Sequence, residues 1–238
     1  MNGKTEIQPI ARVTIFTGHF GSGKTEIAIN YALYLKNHSP LSRVALADLD
    51  LVNPYFRSRS ARDFLRQRGV EVIVPPDEFL NSDLPVLPNR FCERMREVVA
   101  AGGRLVIDVG GDECGALVLG HLNSWLQKAG YNLWLVLNPY RPFSRRAEEV
   151  METCRRIERA SRLRINGLAG NPHLAESTTP AAVEAGFKAV KDVAGALGLP
   201  VCMWVTAKGT GWAPRAETEH KRHLEINCYL RPEWLKAE

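Results

Sequence analysis

Val13-Thr14-Ile15-Phe16-Thr17-Gly18-His19-Phe20-Gly21-Ser22-Gly23-Lys24-Thr25 runs from five apolar or β-branched residues into a glycine-rich turn. Beyond Thr25, apolar side chains recur at Ile27, Tyr31 and Leu35, the spacing of a helix with one buried face. The stretch therefore reads as strand, tight loop, helix. Its glycines let the backbone N–H groups turn inward at a helix N-terminus, where the dipole also favours negative charge. In the spacing Gly18-x-x-x-x-Gly23-Lys24-Thr25, the lysine is placed to meet the β and γ phosphates of a nucleotide and the threonine hydroxyl to meet Mg²⁺. Gly18, His19, Phe20, Gly21, Ser22, Gly23, Lys24, Thr25 and Glu26 are accordingly the candidate nucleotide-contacting residues.

Outward from this loop, short apolar runs alternate with helix-length amphipathic stretches. The runs are Val13–Thr17, Val44–Ala47, Val70–Val74, Leu105–Ile107, Leu133–Leu137, Leu163–Ala169 and Val201–Val205. The helical stretches include Val150, Cys154 and Ile157, then Val183, Phe187, Val190 and Ala194. Such alternation predicts an α/β fold: a doubly wound, mostly parallel sheet of about seven strands with helices on both faces. At 238 residues with no linker or repeat, one domain is expected over 1–238, its core at 11–205 and a C-terminal helix and tail at 206–238. Pro232 interrupts that tail, which Trp234 is expected to pack.

Composition narrows the function. No basic segment precedes an apolar run at the N-terminus and no membrane-length apolar stretch occurs, so a cytoplasmic protein without stable membrane insertion is expected. Five cysteines at wide spacing, without a Cys-x-x-Cys pair, suit reduced thiols rather than disulfides or a zinc knuckle. The net charge of +5 is concentrated around Arg57–Arg68 and Arg141–Arg164, yet Glu148, Glu149, Glu152 and Glu158 interleave with the second cluster. That mixture reads as a solvated helix face and argues against nucleic acid as a partner.

A phosphate loop alone hydrolyses nothing, because the metal needs a carboxylate and the attacking water an orienting group. Leu105-Val106-Ile107-Asp108-Val109-Gly110-Gly111 is a buried strand ending in an acid, which makes Asp108 a candidate Mg²⁺ ligand. Gly111 would bring a backbone N–H to the γ phosphate. Val44-Ala45-Leu46-Ala47-Asp48-Leu49-Asp50 ends in two acids able to project from one edge of the sheet, or to cap the following turn.

These three motifs resemble the MinD/ParA and CobQ/CobB branch of P-loop proteins, the class shared with the nitrogenase iron protein and signal-recognition-type NTPases. The resemblance implies catalytic roles for Lys24, Asp50 and Asp48, with Asp50 orienting the water and Asp48 in the outer shell of a metal held by Thr25 and Asp108. It implies movement of Gly110–Gly115 with nucleotide state, and base contact by Asn171 in Ile165-Asn166-Gly167-Leu168-Ala169-Gly170-Asn171. His19 stands where that branch carries a lysine that crosses to a partner's nucleotide; Arg57 or Arg59 could supply an arginine instead. The absence of Asn-Lys-x-Asp favours ATP over GTP, although Thr206-Ala207-Lys208 resembles a guanine-loop tripeptide.

The resulting expectation is a Mg-ATP-binding ATPase, slow alone, that switches a protein partner or its own homodimer. The alternative is an ATP-dependent ligase of the CobB or dethiobiotin-synthase type, with an acceptor pocket from Pro75–Asp83 and His173–Thr179. Asp112-Glu113-Cys114-Gly115 resembles the cluster-binding segment of the iron protein with the cysteine one residue early, and the upstream Cys92 lies on an amphipathic stretch, so a plain cysteine is favoured over a cluster. His220 and His223 fall on one helix face without a third metal ligand.

Overall fold

The computed structural model describes residues 11–50, 62–74, 87–111, 113–213 and 223–230. Arg57, Arg59, the 75–83 segment, His220 and the 231–238 tail lie outside them, as does the side chain of Cys114.

The apolar runs form β1 (Val13–Thr17), β2 (Val44–Leu49), β3 (Val70–Ile73), β4 (Arg104–Val109), β5 (Tyr131–Leu137), β6 (Gly167–Gly170) and β7 (Val201–Ala207). An eighth strand, β8 (His223–Ile226), pairs parallel to β7, so His223 belongs to a sheet edge and not to a helix face. The sheet is parallel throughout, in the order β3-β2-β4-β1-β5-β6-β7-β8. Expected β6 begins later than its apolar run suggests: Arg162 ends the preceding helix in a left-handed conformation (φ 57°), and Leu163 and Ile165 are buried ahead of the ladder.

Alternation along the strands supplies two apolar faces. One face carries Ile15, Ala47, Ile107 and Leu135, covered by α3 (Asn89–Ala100), α4 (Glu113–Ala129), α5 (Ala147–Ser161) and α6 (Pro180–Leu197). The other carries Phe16, Leu46, Val106 and Val136, covered by α1 (Lys24–His38), α2 (Arg62–Gln67) and residues near Leu230. The ends of α6 follow from sequence: Thr179 accepts a hydrogen bond from Ala182 N at 3.2 Å, Pro180 opens the first turn and Gly198 closes it at φ 65°. Among the described residues, no helix is long and apolar enough to cross a membrane.

Strand order reverses around β1, with the second to fourth strands on one side and β5 to β8 on the other. The carboxyl end of β1 is thus the crevice in which a doubly wound sheet can hold a ligand. The glycine-rich loop sits there.

Candidate functional site

Three glycines shape the loop. Gly18, Gly21 and Gly23 take φ of 154°, 75° and 90°, positive values that an L side chain resists. Ser22 N closes the turn on His19 O at 3.0 Å, and Ile27 N bonds Gly23 O at 3.0 Å to begin the helical ladder of α1. A side chain at Gly111 would bring its Cβ to 2.0 Å from Gly18 O, so the segment after β4 lies directly on the start of the loop.

The acids converge because of strand register. Asp48 and Asp108 are directly paired between β2 and β4, and Phe16 of β1 pairs with Asp108 on its other side. In-register neighbours of a parallel sheet share a face, here the face covered by α1, whose first residues are Lys24 and Thr25. Lys24 Nζ lies 2.8 Å from Asp50 Oδ2, with both side chains nearly buried, and Asp50 N donates to Asp48 Oδ1 at 3.1 Å. The sequence-predicted Lys24, Thr25, Asp48, Asp50 and Asp108 therefore do come together.

Asp108 is fully buried, and neither of its carboxylate oxygens has a hydrogen-bond partner among the described residues. Burial pushes its pKa up to about 8, with Lys24 opposing and the Asp48 charge adding to the rise. Three carboxylates face one ammonium, an imbalance that protonation or a bound cation can relieve. Mg²⁺ fits this donor set. Among the described residues no three His, Cys, Asp or Glu side chains form a protein-only cage, and Mg²⁺ ordinarily combines one or two carboxylates with phosphate oxygens and water. Asp108 and the Thr25 hydroxyl could hold it, with Asp48 behind them.

Other predicted contacts take different roles. Asn171 donates from Nδ2 to Ser22 O at 2.7 Å and is 4% exposed; it braces the loop from the end of β6. The Glu26 carboxylate accepts from Tyr229 N at 3.0 Å and from Leu230 N, while Asn30 and Asn227 exchange hydrogen bonds near 2.9 Å. Glu26 thus fastens the chain after β8 to α1. His19 points outward: its Nε2 lies 3.1 Å from Thr153 Oγ1 on α5 and its ring 5.9 Å from that of Phe143. Burial, then the charge of Arg156, lowers its pKa below 6.5, so it carries no positive charge at neutral pH and does not substitute for a lysine. Phe20 is 65% exposed. Cys92 is buried in the α3 core, with its thiol pKa raised by burial, which suits packing rather than cluster ligation.

Two features go beyond the sequence reasoning, which names the His173–Thr179 loop as one wall of an acceptor pocket. Beyond the ends of β6 and β7, a cleft of about 420 Å³ opens between His173, Glu176 and Thr178 on one side and Lys208, Thr210 and Asn227 on the other. The Thr206-Ala207-Lys208 tripeptide was the signal for one wall. The other is the loop after β5, where Arg141 Nε donates to Gly21 O at 3.1 Å and so contacts the phosphate loop from outside.

No family model matches the chain, and no curated protein matches it. Among solved structures it is similar to FtsY from Thermotoga maritima (TM-score 0.60, 13% identity, 92% of this chain and 69% of that one). It is likewise similar to the signal recognition particle receptor FtsY from Elizabethkingia anophelis (TM-score 0.56, 17% identity, 86% and 61%). A third is the signal recognition particle 54 kDa protein from Aeropyrum pernix K1 in complex with GDP (TM-score 0.55, 16% identity, 85% and 43%). The chain spans between 43% and 60% of the first three such structures. At these identities the likeness shows the fold alone: an all-parallel α/β sheet of P-loop NTPase-like architecture.

Proposed function

We propose that the chain is a Mg²⁺-dependent P-loop nucleoside triphosphatase of the class that includes the MinD/ParA and signal-recognition branches, acting as a nucleotide-driven switch. The observation that carries the reading is the nearly buried Lys24–Asp50 ion pair beneath a glycine-shaped loop, with Asp108 beside it lacking hydrogen bonds. Phosphates entering the loop compete with Asp50 for Lys24. Freed from that pair, Asp50 can orient a water and shift together with Gly110 and Gly111. Mg²⁺, when bound by Thr25 and Asp108, supplies charge neutralisation at the transferred phosphoryl group.

For the base we favour guanine over adenine. The cleft beyond β6 and β7 has Lys208 of the guanine-loop-like tripeptide at its edge and Glu176, a carboxylate able to accept from guanine N–H groups, in its wall. Two of the similar structures are complexes with GDP. Asn171, the residue on which adenine recognition rested, is engaged with Ser22 O. The ATP reading keeps one argument, the absence of Asn-Lys-x-Asp from the sequence.

Phosphate release from Mg-GTP and Mg-ATP by the purified chain, with its mass in solution with and without non-hydrolysable analogues, tests the proposal. Slow turnover with a preference for GTP and nucleotide-dependent assembly supports it. Tight nucleotide binding by a monomer without turnover points to the acceptor-modifying alternative.

A further inference from the structure

The loop from β5 to α5 encloses a second cleft, of about 470 Å³, that the nucleotide reading does not use. Its walls carry three guanidinium groups, Arg141, Arg145 and Arg146, against one carboxylate, Glu149, and two aromatic rings, Tyr140 and Phe143. The framework is fixed. Asn138 Oδ1 accepts from Tyr140 N at 3.1 Å, Tyr140 donates its hydroxyl proton to Ala182 O at 2.5 Å, and Arg145 Nε donates to Pro139 O at 3.1 Å. Among the described residues no ion pair joins Glu149 to the three arginines, and Arg146 is anchored through its backbone, its carbonyl accepting from Val150 N at 3.1 Å. Phe143 is 64% exposed and sits at φ 57°, a left-handed conformation uncommon for a bulky residue. A large ring held outward on unfavourable backbone is a feature that functional sites tend to retain.

We propose that this cleft binds a small organic anion, its carboxylate or phosphate groups gripped by Arg141, Arg145 and Arg146 and its apolar body lying on Phe143 and Tyr140. The volume matches that of small-molecule sites, and a planar guanidinium fork suits bidentate recognition of such groups. Arg141 can bind an anion through its terminal nitrogens while Nε stays on Gly21 O, so occupancy is communicated to the phosphate loop. The ring contact of Phe143 with His19 provides a second connection.

The probe is benzene-1,3-dicarboxylate, titrated calorimetrically into the full chain and into its Lys24→Ala variant, whose phosphate loop lacks its ammonium, and compared with the uncharged benzene-1,3-dicarboxamide. Binding of the dicarboxylate alone, weakened about tenfold or more by an R145Q/R146Q double substitution and by Phe143→Gly, supports the site. Both variants change exposed side chains, and an unchanged melting temperature verifies folding. The proposal is overturned if the dicarboxylate fails to bind the wild-type chain, if Lys24→Ala abolishes its binding, or if both cleft variants bind it normally. Binding of poly-glutamate in place of the dicarboxylate, lost in R145Q/R146Q, also overturns it and assigns the cleft to an acidic protein segment.

Discussion

Substituting Lys24→Ala should destabilise the nucleotide-free protein as well as abolish nucleotide binding. The ammonium sits 2.8 Å from Asp50 and is the cation nearest to three buried acids. Removing one partner of a buried pair costs about 3–5 kcal/mol, since the remaining charge keeps its desolvation penalty without compensation. For a chain of this length each kcal/mol moves the melting temperature by about 2–4 °C, which gives a fall of roughly 6–20 °C. Protonation of Asp108, whose pKa burial raises to about 8, places the result toward the lower end at pH 6 and the upper end at pH 8. The assay is thermal unfolding in EDTA without nucleotide. A Lys24→Met/Asp50→Asn double variant should recover much of the loss, because neither charge is then left alone. An unchanged melting temperature for Lys24→Ala, or a double variant whose losses simply add, would refute the coupling.

Four further substitutions examine separate parts of the site. Gly111→Ala forces a Cβ to 2.0 Å from Gly18 O, so the two segments must part by more than 1 Å; nucleotide affinity should fall about 100-fold with an unchanged far-ultraviolet spectrum. Asp108 has a folded-state pKa raised from 3.8 to about 8, so it favours the fold below pH 3.8 and withdraws that support as pH rises toward 8. Asp108→Asn should therefore flatten a decline of up to about 1.4 kcal/mol per pH unit in denaturant-unfolding stability, while Mg²⁺-dependent turnover disappears. Asn171→Ala leaves Ser22 O buried without its donor, at a cost of about 1–3 kcal/mol; because the bond braces the loop, KM for GTP and for ATP should rise by the same factor, and a changed ratio would mean that Asn171 reads the base. Glu26→Ala releases the Tyr229 and Leu230 amides, and should expose the chain after β8 to limited proteolysis while preserving the affinity for pyrophosphate.

The phosphate loop and its carboxylates were legible in the sequence because their chemistry dictates spacing. Gly18, Gly23 and Lys24 occur at intervals set by phosphate geometry, and Asp48 and Asp108 each end a β-branched or aliphatic run, which places them on one sheet edge whatever the intervening chain does. Four residues of β8, only two of them apolar, carry no such signal. Their order comes from pairing with β7 and from the bonds that Glu26 and Asn30 make to the following segment about 200 residues later in the chain. Asn171 was placed correctly at the end of a strand, but its partner Ser22 lies 149 positions away and only the crossover brings them together. The arginine-lined cleft depends on Asn138 turning the chain and on Phe143 adopting a positive φ, neither of which periodicity reveals.

Nucleotide binding at the loop is the central claim, and isothermal titration of Mg-GTP, Mg-ATP and Mg-pyrophosphate into the wild-type chain and the Lys24→Ala variant tests it most directly. The expected result is micromolar binding of GTP and weaker binding of ATP to wild type, with every affinity falling at least about 100-fold in the variant. Affinities untouched by the loss of Lys24, or the absence of any phosphate ligand on the wild-type protein, would contradict it.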